Sequence, residues 1–367
     1  MSKRRYRLTS WAAIIGRIFP ALFLLVVVAS TAAEAQNPEI PKNEKRIVIG
    51  TFGGLLGQQL RAIIDGYAKP LGIETVYVEG TSNGLLAKVR AQRNNPQLDL
   101  FVGNDQTFLV AKSLGLIAKL DPKLVPNLQY VHPDYRDPDG YGQFYEINPV
   151  GFVYRTDKFA EAGIPKPTSW SMLSDPKLKG RVTLFSPTVS FGFHYLIGVS
   201  LAAGKNESDI SPAWTELTKV MSNQAAVVTT PGQADDMAIR GESWIYVCSA
   251  VRAKLAKEAG TAIGFSIPTD APPIAFPNFI APVQNAKSPV LAQLIINHMI
   301  GKAAQIENIN TGAVVPVNTQ IELSPELKER LGFDTQKPLP KIHVLNVDAI
   351  NKQLDGWVDR FNRAVTR

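Results

Sequence analysis

Eight short apolar runs rich in β-branched residues recur along the chain, each set off from the next by an amphipathic or turn-forming stretch. That alternation constrains the fold more than any other feature. The runs are RIVIGT (46–51), ETVYVE (74–79), LDLFVG (98–103), VGFVYR (150–155), GRVTLF (180–185), AAVVTT (225–230), SWIYVC (243–248) and IGFSIP (263–268). Residues 55–67, 84–93, 191–203, 212–221, 249–258, 290–300 and 302–309 read as helices between and after them. Ser211 reads as an N-cap with Pro212 at the first helical position, and Gly204 and Gly301 as helix stops. Strands separated by helices predict an α/β fold of parallel layers.

The ends and the composition narrow the class. Lys3, Arg4, Arg5 and Arg7 precede an apolar stretch, and Ala33-Glu34-Ala35 offers a small-residue cleavage site. This pattern predicts a signal peptide over residues 1–35, cleaved after Ala35. The stretch free of charge and proline, 21–31, falls short of the ~20 apolar residues that a spanning helix needs. Arg4-Arg5 leaves the general and the twin-arginine export routes both open. Removing the leader takes away five basic residues (Lys3, Arg4, Arg5, Arg7, Arg17) and one acid (Glu34), so the formal charge falls from +7 to +3. A near-neutral mature chain with no basic block is not expected to bind nucleic acid. Cys248 is the only cysteine, so no internal disulfide and no cysteine-rich metal site is possible. The remaining length exceeds one comfortable core, which predicts two lobes.

RIVIGTFGGLLGQQL (46–60) places a strand against glycines and a helix start. The glycines at 50, 53, 54 and 57 do not match the n, n+2, n+5 spacing of a dinucleotide fingerprint, and no P-loop lysine follows. The turn remains a candidate ligand contact through backbone N–H groups. In open α/β sheets ligands sit beyond the carboxyl ends of strands. This shortlists residues 52–54, 80–83, 104–106, 186–190, 231–233, 248–252 and 268–278, which are mostly small, polar or aromatic and suit a small solute.

The order of several stretches then carries a resemblance: RIVIGTFGG, VEGTSNGLLAKVRAQRNNPQLDLFVGND, NPVGFVYRTDKFAEAGIPKPTSWSMLSDPKLKGRVTLFSP, AIRGESWIYVCSAVRAKLAKEAGTAIGFSIP and FIAPVQNAKSPVLAQLIINHMIGKAAQIENINTGAVVPVNT. Together they resemble the type II periplasmic substrate-binding proteins of ABC importers, in the extracellular solute-binding family that includes the spermidine/putrescine receptors. The resemblance implies a periplasmic, monomeric receptor without cofactor or catalysis. It implies two α/β lobes joined by crossover strands, with a ligand cleft between them that closes about a hinge. Lobe 1 would comprise 44–150 plus 279–325, and lobe 2 would comprise 151–278 plus 345–367. The partners implied are a small-molecule ligand and an ABC permease in the inner membrane.

On that plan, Thr51, Phe52, Gly53 and Gly54 form one jaw of the cleft, with Ser82, Asn83, Asn104 and Asp105 beside them. The opposite jaw is expected to carry Ser186, Thr188, Tyr246, Ser249 and Arg252, with Phe276 and Asn278. Where the family's polyamine receptors carry acids, this chain has Ser186-Pro187-Thr188, and Tyr246 stands for a tryptophan. A long polycation would therefore lack counter-charges, which favours smaller ligands. Arg252 is a candidate for gripping a carboxylate or phosphonate, and Asp105 or the Asp235-Asp236 pair for receiving an amine. Together they suggest an amine, an amino-acid-like zwitterion, an opine-like conjugate or an aminophosphonate.

Polyamine and ferric iron are the alternatives within the fold. Iron is disfavoured because neighbours such as His194 and Tyr195 point about 100° apart on a helix, and no metal or catalytic site is expected. A hydrolase built on Ser243 or Cys248 lacks a nucleophile elbow and a suitably ordered histidine and acid.

Overall fold

The computed structural model describes residues 39–365 apart from 335, 338 and 344. The leader and its cleavage site after Ala35 lie outside the described residues.

Three strand–helix units open the fold: β1 (Arg46–Thr51) with α1 (Gly54–Ala68), β2 (Glu74–Glu79) with α2 (Ser82–Ala91), and β3 (Leu100–Asn104) with α3 (Asp105–Ser113). A long strand, β4 (Gln143–Arg155), then leads through α4 (Thr156–Glu161) to β5 (Val182–Phe185), α5 (Ser190–Ala202), α6 (Ser211–Val220) and β6 (Gln224–Val228). There follow α7 (Pro231–Ile239), β7 (Ile245–Ser249), α8 (Ala250–Glu258), β8 (Ile263–Ser266) and β9 (Ile274–Pro282). The chain finishes with α9 (Pro289–Met299), α10 (Lys302–Gly312), α11 (Pro325–Arg330) and α12 (Val347–Val365).

The strands form one sheet in the order β2-β1-β3-β9-β4-β7-β5-β6, with β8 also on β4. Its two wings are parallel, β2-β1-β3 and β7-β5-β6. Its centre is antiparallel: β9 runs against β3 and β4, and β4 against β7 and β8. The expectation of parallel layers therefore holds for the wings and is corrected at the centre. β9 and the first half of β4 escaped the sequence reading because Pro277 and Pro149 interrupt them, and proline argues against a central strand. The fold seats both in the ladder, Pro277 opposite Ile147 and Pro149 opposite Ala275.

Burial follows the alternation. The parallel strands β3 and β7 bury nearly every residue, as strands covered on both faces do. One large apolar cluster runs under both wings, and a smaller one gathers Leu85, Val89, Leu98, Phe101, Phe108 and Phe279 beneath α2 and α3. Asp99 ties β1 to the start of α9: its carboxylate accepts from Val48 N at 2.8 Å, Lys287 N at 2.9 Å and Ser288 N at 3.0 Å. In α12 the spacing of Val347, Ile350, Leu354, Trp357 and Phe361 turns one apolar face inward, and all of these but Leu354 are buried. That helix lies by α6, with the Arg360 guanidinium 4.8 Å from the Trp214 ring centre.

One helix end differs from expectation. α6 takes Ile210 as its N-cap, so Ser211 is its first helical residue. Gly301 follows the end of α9 as expected and is also the extended N-cap of α10. Gly204 does follow α5 in a left-handed conformation, φ 73°, where glycine has no steric penalty.

Candidate functional site

Four helices, α1, α2, α3 and α5, begin beyond the carboxyl ends of strands around a single cavity of about 170 Å³. Phe52 and Leu56 reach it from the β1–α1 turn, Ser82 from α2, and Asn104, Asp105 and Gln106 from the β3–α3 junction. From the far wing come Ser190, Phe193 and His194 of α5. Phe276 and Asn278 of β9 and Leu345, Val347 and Ile350 at the start of α12 complete the wall. A second, more apolar cavity of about 240 Å³ shares Asp105, Leu345 and Val347 with the first.

The N-termini of the four helices are not alike. Thr81 caps α2 by accepting from Gly84 N at 3.1 Å, and Asn104 caps α3 by accepting from Thr107 N at 3.1 Å. α1 and α5 have no side-chain cap, so their first-turn N–H groups have no side-chain acceptor at the cap position. Gly54 holds φ 64° where α1 starts. A Cβ at Gly57 would stand 2.0 Å from the Phe52 carbonyl oxygen, so only glycine lets that turn close as it does.

The electrostatics are lopsided. Among the described lining residues there is no lysine or arginine, and Asp105 is the only carboxylate. Its Oδ1 accepts from Gln106 N at 2.9 Å, yet burial outweighs this and pushes the carboxyl up to about 6. His194 is 1% exposed, and neither ring nitrogen has a hydrogen-bond partner of good geometry among the described residues. Burial, opposed weakly by the Ser190 backbone, holds its pKa down to about 3, so the imidazole is neutral. Its ring centre lies 4.8 Å from that of Phe193 and 6.0 Å from that of Phe276. One carboxylate, three phenyl rings and a neutral imidazole suit the ammonium end of a small solute.

Phe52, Ser82, Asn104, Asp105, Phe276 and Asn278 thus meet in one place. Gly53 and Gly54 stand beside them as the exposed start of α1, while Thr51 is fully buried and its hydroxyl has no partner among the described residues. Asn83 faces a separate groove with Leu86 and Arg90. Ser186 and Thr188 bond to one another at 3.1 Å ahead of α5. Tyr246 is fully buried and donates to Asp235 at 2.6 Å, and Arg252 forms an ion pair with the same carboxylate. Ser249 is the buried N-cap residue of α8. None of these last five lines the cavity.

Sequence reasoning did not single out Leu56, Gln106, Ser190, Phe193, His194 or the start of α12 as contacts. Gln106 and Ser190 lay within shortlisted segments. α5 is buried all round, so no amphipathic stripe marks which of its faces meets a cavity.

Among the described residues no group of three or more His, Cys, Asp or Glu is placed to hold a metal. His343 bonds Glu207 at 2.7 Å. The Cys248 thiol is pushed well above its usual range by burial, and Ser243 is fully buried, with its hydroxyl nearest to backbone carbonyls.

A family model described as bacterial extracellular solute-binding protein matches residues 62–335. The chain belongs to that family. Among its relatives, an uncharacterized protein of Haemophilus influenzae is 27% identical over 212 residues, which are 56% of this chain and 59% of that one. The match thus spans about three fifths of that relative's length. A periplasmic protein of Salmonella typhimurium named for 2-aminoethylphosphonate binding is 22% identical over 271 residues, 71% of this chain and 75% of its own. The crystal structure of an ABC transporter from Clostridium perfringens superposes with a TM-score of 0.69 at 25% identity, covering 87% of this chain and 99% of the other. The architecture of this extracellular solute-binding protein is that of the type II periplasmic binding proteins.

Proposed function

We propose that the chain is a periplasmic receptor of an ABC importer, which holds a small organic solute in the cavity and passes it unchanged to a permease in the inner membrane. The solute class is an amine, an amino-acid-like zwitterion, an opine-like conjugate or an aminophosphonate. The observation that carries this reading is the cavity wall. Residues from both wings of the sheet converge beyond strand ends, among them one carboxylate, a neutral imidazole and three phenyl rings. The family membership and the Salmonella relative's name point the same way.

In this reading the two lobes are 44–150 plus 279–325 and 151–278 plus 345–367, and a solute touching both favours a closed state by its differential affinity for that state. The receptor works as a monomer, reaches the periplasm by loss of residues 1–35, and needs no cofactor, metal or nucleic acid. Polyamine stays the second choice, because Asp105 alone would face several positive charges.

The test is native mass spectrometry of gently purified mature protein, followed by a thermal-shift screen of small solutes. Saturable stabilisation by one solute class, with the solute recovered intact, supports the receptor. Recovery of a chemically altered solute, or stabilisation by none, overturns it.

A further inference from the structure

The hydrogen-bonding polarity of the cavity wall is set from behind it. Glu146 is 5% exposed and lies on β4 directly across from Asn278 on β9. Its Oε1 accepts from Asn278 Nδ2 at 2.7 Å and Asn148 Nδ2 at 3.4 Å, and its Oε2 accepts from Asn308 Nδ2 of α10 at 3.1 Å. No lysine or arginine pairs with Glu146 among the described residues. A carboxylate buried without a cation is costly, and a glutamine would serve as well if packing were the only requirement. What the carboxylate alone supplies is direction. Burial raises the Glu146 carboxyl, and the hydrogen bonds from Asn278, Asn308, Asn148 and Tyr145 oppose this; ionised, it only accepts, so three amides on three elements turn their NH2 groups toward it. An asparagine that commits Nδ2 inward presents Oδ1 on its other side, and Asn278 lines the cavity.

We propose that Glu146 is a positioning residue that fixes the Asn278 carbonyl oxygen toward the solute, so that with Asp105 the wall accepts hydrogen bonds and selects a solute whose bound end is an ammonium. The proposal rests on the reading of this cavity as the solute site.

Isothermal titration of the mature chain with two matched pairs tests it: γ-aminobutyrate against pentanoate, and aminoethylphosphonate against propylphosphonate. Each pair exchanges an ammonium for a methyl group at constant length. The wild type should bind an ammonium member at least about tenfold more tightly, as a hydrogen bond to a charged group implies. Glu146→Gln, whose amide lets Asn278 turn over, should bring that ratio close to one, and so should Asn278→Ser. Asn308→Ser removes a Glu146 partner outside the cavity; it should lower Tm and leave the ratio intact.

An unchanged ratio in Glu146→Gln overturns the positioning role while the receptor reading stands. If Glu146→Gln does not fold, Asn278→Ser decides alone. Equal binding of both members by the wild type overturns the ammonium preference, as does binding of neither. The receptor reading itself falls on its own test, when no solute stabilises the protein or the solute is recovered altered, and not on these two pairs.

Discussion

Tyr246 and Asp235 meet inside the protein, the phenol donating to the carboxylate Oδ1 at 2.6 Å while Arg252 pairs with Oδ2. The trio links β7, α7 and α8, and both Tyr246 and Asp235 are buried. Burial pushes the Asp235 carboxyl up, and the phenol and guanidinium draw it back. Tyr246→Phe removes the phenol and leaves one carboxylate oxygen without its donor. Urea denaturation should show a loss of about 1.5–3 kcal/mol, the range for a hydrogen bond to a charged group, with solute affinity unchanged. A folded variant of wild-type stability and altered affinity would instead move Tyr246 into the binding site.

His194 makes the protein acid-sensitive. Its pKa is near 3 folded and about 6.5 unfolded, so as pH falls below 6.5 the unfolded chain takes up a proton that the folded one refuses. Stability present above pH 6.5 is lost toward pH 3, amounting to about 2 kcal/mol by pH 5. Replacing it by phenylalanine, among Phe191, Phe193 and Phe276, should flatten this slope. Denaturation midpoints measured between pH 7 and pH 5 give the answer; an identical slope in His194→Phe refutes it.

Asp105 titrates the opposite way. Its folded pKa of about 6 exceeds the unfolded value near 3.9, so the solute-free protein loses stability as pH rises from about 4 to 6. An ammonium held there requires the ionised form, so affinity for an aminated solute should climb with pH up to about 6 and level off above it. Calorimetry across that interval should find a proton released on binding, and weaker, pH-independent affinity in Asp105→Asn. A flat wild-type profile would place the ammonium elsewhere.

The β1–α1 turn distinguishes its glycines. A Cβ at Gly57 would lie 2.0 Å from a backbone oxygen, whereas at Gly53 it would meet only the flexible Glu79 carboxylate, at 3.0 Å. Gly57→Ala should cost at least the ~1–3 kcal/mol typical of overpacking and displace Phe52 from the wall. Gly53→Ala should cost much less in the same thermal melt. Equal costs would mean that the turn has room for a Cβ at Gly57.

The strands of the wings were legible because apolar, β-branched runs set between turn residues mark a strand even where it lies half-exposed at the sheet edge, as β2 does: Arg46–Thr51 and Glu74–Glu79 fall where the sequence places them. The centre was hidden by Pro149 and Pro277, since local chemistry argues against a strand that only tertiary pairing can hold. At the site, the rule that ligands sit beyond strand ends located Phe52, Asn104 and Asp105. It said nothing of His194, for a helix apolar on every side carries no mark of its neighbours. Nor does any local pattern link Arg252 to Asp235, seventeen residues earlier on another helix.

The solitary Cys248, sealed within β7, has a practical consequence. A thiol introduced at Leu56, 37% exposed on the rim of the cavity, would be the one accessible thiol among the described residues. A fluorophore attached there would be placed without background labelling, so a change in its emission on adding a solute would report capture at the proposed site and make the protein its own optical sensor.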